Sequence, residues 1–286
     1  MKDKLVDYWR LARMHRPIGI YLLLWPTLWA LWFAARGVPS LHLLVVFVLG
    51  TVLMRAAGCA INDYADRDFD PHVSRTKDRP LAAGKVSGRE AVAIFVVLSL
   101  VAFALLLSLR NALAVWWSLP AVFLAGIYPF SKRVLAMPQA ILGLAFSAGI
   151  PMAYAAVRHD VDGWMVSMLI AANLCWVLAY DTYYAMADRD DDLRIGVKSS
   201  AILFGRHDRL ITALMQLVSF TLLIAIGLHD GRGVYYYAGI AVGVLCALHE
   251  QRLIREREAA ACFRAFLHSH TIGLAVLIGL ALDYAR

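Results

Sequence analysis

Two short acidic stretches hold the residues best suited to chemistry. Ala65-Asp66-Arg67-Asp68-Phe69-Asp70 recurs 122 residues later as Ala187-Asp188-Arg189-Asp190-Asp191-Asp192, with five of six positions identical. Asn62, Asp66 and Asp70 fall every four residues, and Asp181, Asp188 and Asp192 fall at intervals of seven and four. In a helix either spacing puts the side chains on one stripe, about 6 Å per step. Carboxylates stacked this way repel one another, more strongly beside lipid than in water, so a cation is expected between them. The donors are hard oxygens, with no cysteine or histidine at coordinating spacing, which favours magnesium over zinc or copper. Magnesium gives up its water reluctantly and commonly shares one or two carboxylates with a substrate phosphate. A phosphate or diphosphate is the expected companion.

Basic residues follow each stretch. Arg75, Lys77 and Arg79 come directly after the first, and Arg194 and Lys198 after the second. Arginine offers a bidentate fork to phosphoryl oxygens and lysine a point charge. Loop cations also anchor membrane proteins to anionic headgroups, but placement immediately after both acidic stretches favours a phosphate role for Arg75, Lys77, Arg79 and Lys198. Asp68, Asp78, Asp190 and Asp191 lie off the stripes and read as solvated loop charges. Arg55, two turns before Asn62, sits inside an apolar run, and an arginine at such depth is a functional candidate.

The elements that must position these residues are membrane helices. Of 286 residues, 61% are apolar and only 17% charged, far from the roughly 45–50% apolar content of a soluble domain. Nine apolar runs, at 18–35, 41–64, 91–109, 112–130, 137–157, 164–187, 210–228, 233–249 and 265–284, are each about long enough to cross ~30 Å of hydrocarbon. They lack the alternation of a barrel wall, so the expected fold is all-α and polytopic, one membrane-embedded domain over residues 1–286. Lysine and arginine support the count: 22 fall on the side of the N-terminus and five on the other, with Arg55 alone inside a span. The positive-inside rule then puts the N-terminus, and both acidic stretches, in the cytoplasm. Because both stretches end even-numbered spans, two four-helix pseudo-repeats plus a ninth helix are expected. The first run, with Trp25, Trp29 and Trp32, reads as a membrane helix and not a cleaved signal; the absence of an import presequence favours a bacterial inner membrane. Four scattered cysteines suggest neither disulfides nor zinc. No separate basic domain points to nucleic acid.

Intramembrane acids and parallel repeats also serve ion transporters, though those usually place their sites near the bilayer midplane. The motifs favour an enzyme. MRAAGC at 54–59, NDYADRDFD at 62–70, RTKDRP at 75–80, YPFSKR at 128–133, YDTYYAMADRDDD at 180–192 and IGVKSSAILFG at 195–205 resemble the UbiA superfamily of intramembrane aromatic prenyltransferases. Within it they are most similar to the bacterial branch that acts on 4-hydroxybenzoate in ubiquinone biosynthesis; sister branches prenylate other aromatic acceptors. The likeness spans nearly the whole chain.

That resemblance implies nine helices around a cavity open to lipid, and Mg2+ held with a polyprenyl diphosphate by Asn62, Asp66, Asp70, Asp188 and Asp192. It implies that Arg133 receives the carboxylate of 4-hydroxybenzoate, with Arg16 and Arg55 as further candidates. Departure of diphosphate leaves an allylic cation that the ring carbon ortho to the phenol attacks, and Asp181 or Asp188 would accept the phenol proton. The long apolar tail would leave sideways into membrane lipid.

Overall fold

The computed structural model describes residues 2–73, 75–131 and 134–286. Its helices are α1 (Lys2–Leu11), α2 (Ile18–Ala35), α3 (Leu41–Ala65), α4 (Gly88–Leu107), α5 (Ala112–Ser131), α6 (Gln139–Ser147), α7 (Gly149–Arg158), α8 (Gly163–Ile195), α9 (Ser200–Phe204), α10 (Asp208–His229), α11 (Val234–Leu253), α12 (Ala259–His268) and α13 (His270–Tyr284). Among the described residues there is no strand, as backbone crossing lipid requires of an unclosed structure.

Among the described residues, eight of the expected spans are long and apolar enough to cross a membrane: α2, α3, α4, α5, α6 with α7, α8, α9 with α10, and α12 with α13. The expected count of nine is not met on that criterion. The remaining run, α11, is 20 residues long, but Tyr235, Tyr236 and Tyr237 near one end and His249-Glu250-Gln251 near the other lower its hydropathy. It still packs along α10 and α13.

Local chemistry explains the boundaries that differ from expectation. α4 starts three residues early, at Gly88, because Ser87 and Glu90 form a capping box. The fifth span breaks at Ala148 between α6 and α7; Pro151 has no N–H to offer the Ser147 carbonyl. The ninth breaks at Ser269, whose hydroxyl donates back to the Ala265 carbonyl at 3.0 Å. α8 extends to Ile195, well past the expected end at 187, with Asp162 capping its start and Gly196 closing it in the left-handed conformation. That extension makes the whole second acidic stretch helical.

Close packing in the second half depends on small residues. A Cβ on Gly239 of α11 would lie 2.6 Å from the Ala275 carbonyl oxygen and 2.9 Å from the Gly279 Cα of α13, so the two backbones meet without side chains between them. α2 is tied across the bundle by Trp29, which donates its indole N–H to the Gly273 carbonyl at 3.0 Å and packs on Trp176 of α8. All four cysteines are free thiols.

Candidate functional site

The first acidic motif is not one helical stripe. α3 ends at Ala65, Asp66 is its C-terminal cap, and Asp70 opens a 3-10 turn, Asp70–His72. Pro71 falls inside that turn, where its missing N–H is tolerated. The chain stays wound up to that point: the Asp66 N–H donates to the Asn62 carbonyl at 2.9 Å and the Asp70 N–H to the Asp66 carbonyl at 2.8 Å. The Asn62 side-chain amide donates to the Asp66 carboxylate at 3.2 Å. Asp70 turns inward and is buried, accepting from Arg79 Nη1 at 2.8 and 3.0 Å. Burial pushes its carboxyl above the usual carboxylate range, with the Arg79 guanidinium opposing that shift.

In the second motif Asp181, Asp188 and Asp192 share α8, as their spacing predicts. Arg75, from the loop after the first motif, crosses to this helix. Its Nε donates to Asp188 Oδ1 at 2.9 Å, and Nη2 closes the fork on Oδ2. Its guanidinium lies over the Tyr184 ring, 4.3 Å from the centroid and one turn before Asp188. A single side chain thus joins the two halves of the candidate site.

Two buried aspartates that spacing did not single out brace these motifs. Asp63, fully buried on α3, accepts from Arg13 at 2.7 Å and from Arg79 at 3.2 Å. Removing a carboxylate from water costs several kcal/mol, and two guanidinium groups offset that cost; Arg79 thereby links Asp63 to Asp70. At the start of α10, fully buried Asp208 accepts from Arg257 Nε at 3.0 Å and Nη2 at 2.8 Å, and from Arg189. Arg189 follows Asp188 directly, so this clamp grips α8 beside the motif. Arg257 also donates to the Arg206 carbonyl at 2.9 Å, fastening the α11–α12 turn to the α9–α10 segment.

The other expected residues are more dispersed. Arg55 is half-buried on α3; its Nη1 lies 2.7 Å from Cys59 Sγ, and its Nε is buried without an acceptor among the described residues. The guanidinium covers Gly19 of α2, where a Cβ would lie 2.1 Å from Nε. Lys198 donates to the Val134 carbonyl at 3.0 Å and, with Asp192, lines a cavity of about 380 Å³. Lys77 and Arg16 are exposed in loops, and Asp181 is half-buried. Arg133 lies outside the described residues.

Among the described residues, no three His, Cys, Asp or Glu side chains are grouped to hold a metal ion. Asp70 and Asp188 are neutralised by Arg79 and Arg75 instead. The donor chemistry still fits a hard divalent cation: Asn62, Asp66, Asp70, Asp188 and Asp192 offer only amide and carboxylate oxygens.

The sequence model of the UbiA prenyltransferase family matches residues 23–272. A 4-hydroxybenzoate octaprenyltransferase from Aromatoleum aromaticum (strain DSM 19018 / LMG 30748 / EbN1) is 54% identical over 284 residues, covering 99% of this chain and 96% of the relative. One from Azoarcus sp. (strain BH72) is 56% identical over 284 residues, covering 99% and 98%. Among solved structures, the apo UbiA homolog from Aeropyrum pernix K1 superposes with a TM-score of 0.81 at 26% identity, covering 93% of this chain and 97% of that one. A UbiA homolog from Archaeoglobus fulgidus bound to GPP and Mg2+ shares the fold, with a TM-score of 0.70 at 17% identity over 95% and 99% of the chains.

Proposed function

The chain belongs to the UbiA prenyltransferase family, and from that premise we propose that it transfers a polyprenyl group from a polyprenyl diphosphate to C3 of 4-hydroxybenzoate, a step of ubiquinone biosynthesis, releasing diphosphate. The junction of the two acidic motifs through Arg75 and Asp188 is the observation that carries this reading.

Ionisation of the donor builds negative charge on the diphosphate while an allylic cation forms. Arg75, Arg79, Lys77 and Lys198 supply positive charge around the motifs, where it stabilises the transition state more than the ground state. Mg2+ bound by Asn62, Asp66, Asp70, Asp188 and Asp192 would neutralise further charge on the leaving group. Arg75 and Arg79 already balance Asp188 and Asp70; a diphosphate draws these guanidinium groups toward its own oxygens and frees the carboxylates as ligands.

Arg133 takes the acceptor carboxylate, with Arg55 and Arg16 as the further candidates; the buried Nε of Arg55 without an acceptor supports an anion there. The ring carbon ortho to the phenol attacks the allylic cation as Asp181 or Asp188 receives the phenol proton; the C3 hydrogen of the resulting dienone then leaves as a proton and the oxygen regains one, restoring the aromatic phenol. Keeping water from the cation prevents its loss as an alcohol. The apolar tail remains in membrane lipid. The charge asymmetry of 22 to five supports an orientation with the N-terminus and the site on the cytoplasmic side, and the bacterial relatives support a bacterial inner membrane as the location.

The test is product formation by purified protein in nanodiscs supplied with labelled 4-hydroxybenzoate, Mg2+ and polyprenyl diphosphates of several lengths. Labelled 3-polyprenyl-4-hydroxybenzoate is expected. No lipid-soluble product at any length from folded protein would overturn the assignment.

A further inference from the structure

α1 presents three distinct faces. One is fixed to the protein: Leu11 is fully buried among Ala60, Val86 and Ala91, with Tyr8 packed beside them. Lys4 donates to Glu90 at 2.9 Å and to the Lys85 carbonyl at 3.0 Å, and Tyr8 donates to Glu90 at 2.7 Å. A second face carries Asp3, Asp7 and Arg10 by helical spacing. The third is apolar and uncovered, with Leu5 64%, Val6 48% and Trp9 53% exposed.

Where this helix sits identifies what covers that face. Its packing partners Ala60 and Tyr64 lie in the last turns of α3, and Ala91 and Ile94 in the first turns of α4. The helix therefore lies at the level where two spans leave the hydrocarbon. Ten residues measure about 15 Å, half of what a crossing needs, so α1 runs along the boundary and not through it. Tryptophan is favoured at that depth. Arg10 on the helix, and Lys85 and Arg89 in the segment that Lys4 contacts, are exposed and complement anionic headgroups.

We propose that α1 is an in-plane interfacial helix that seats Leu5, Val6 and Trp9 in the leaflet on the motif side and binds its anionic lipid headgroups. The seat bears on the site, because α1 leads straight into Arg13. That residue has φ +55°, a left-handed turn that a side chain rarely adopts, and it donates to buried Asp63 of the first motif at 2.7 Å. Fixing α1 on the leaflet holds Arg13 in this position.

The test places a nitroxide at position 9 (Trp9→Cys) in the full chain, with the unsubstituted protein giving the background from native thiols. Nanodiscs are made of phosphatidylcholine alone or with phosphatidylglycerol. The readout is spin relaxation by oxygen, which concentrates in lipid, and by an aqueous nickel chelate. Expected is greater relaxation by oxygen than by nickel, increased by phosphatidylglycerol, with that increase lost in Arg10→Glu/Arg89→Glu. Dominant relaxation by nickel would put α1 in water, and protection from both reagents would mean a protein partner covers it; either overturns the proposal. Equal depth in both lipids overturns the anionic recognition. No turnover is measured, so the outcome is independent of the donor and acceptor assignment.

Discussion

Arg75 donates from Nε to Asp188 at 2.9 Å across 113 residues of sequence, and this contact ties the loop after one acidic motif to the helix that carries the other. The arginine acts as a resident counterion. On the proposed function it keeps Asp188 neutralised until a more highly charged ligand competes for the guanidinium.

Metal and diphosphate should therefore bind cooperatively. In calorimetry with inorganic diphosphate, Mg2+ is expected to tighten diphosphate binding at least about tenfold, or about 1.4 kcal/mol, and reciprocally. Arg75→Ala should improve the affinity for Mg2+ alone while weakening diphosphate. Diphosphate affinity indifferent to Mg2+ would contradict the exchange of partners.

Asp208 should matter although it lies outside both motifs. Asp208→Asn removes the charge that holds Arg189 and Arg257. Breaking a fully buried pair costs roughly 3–5 kcal/mol; here the arginine side chains are 24% and 35% exposed, so solvent reduces the expected loss to about 2 kcal/mol. The kinetic signature should be a raised Mg2+ requirement with the KM for 4-hydroxybenzoate within about twofold of normal. An unchanged Mg2+ requirement would make the clamp purely structural.

Gly19→Ala probes Arg55 without touching its charge. The new Cβ would fall 2.1 Å from the Arg55 Nε, and the guanidinium, at the end of a flexible side chain, must move. A several-fold higher KM for the aromatic acid at normal thermal stability is expected, with a larger rise in Arg55→Ala and in Arg133→Ala. An acid KM unaltered in all three variants would place the carboxylate elsewhere.

Gly279→Ala should act on stability instead. Its Cβ would meet the Tyr235 carbonyl oxygen at 2.7 Å and the Gly239 Cα at 2.8 Å. Backbone atoms cannot step aside as a side-chain tip can, so α11 and α13 must separate at a cost of about 1–3 kcal/mol. Thermal unfolding in detergent at the normal temperature would show that the helices have room.

Much of this was legible in the sequence because membrane helices carry a strong signal. Apolar runs and lysine and arginine placement located α2, α3 and α5 to within a residue, and the acidic echo identified the two motifs. Spacing succeeded for Asp181, Asp188 and Asp192, which lie on one helix. It failed for Asn62, Asp66 and Asp70, where α3 ends at Ala65 and the turn that follows carries Asp70 to Arg79. Asp63 and Asp208 left no periodic trace, since their partners Arg13 and Arg257 come from distant turns and only folding unites them. α11 shows the limit of hydropathy, because the face it packs against its neighbours buries Tyr236 and Glu250, which lipid would not accept.

The most direct measurement is Mg2+-dependent binding of an unreactive thiolodiphosphate donor analogue to the parent chain, Asp66→Ala, Asp188→Ala and the double variant. If both motifs grip one metal diphosphate, each single change should weaken binding about a hundredfold and the double little further, the non-additivity of a shared site. Separate losses that sum in the double variant, or near-normal binding in either single variant, would mean that the two motifs do not converge on one ligand.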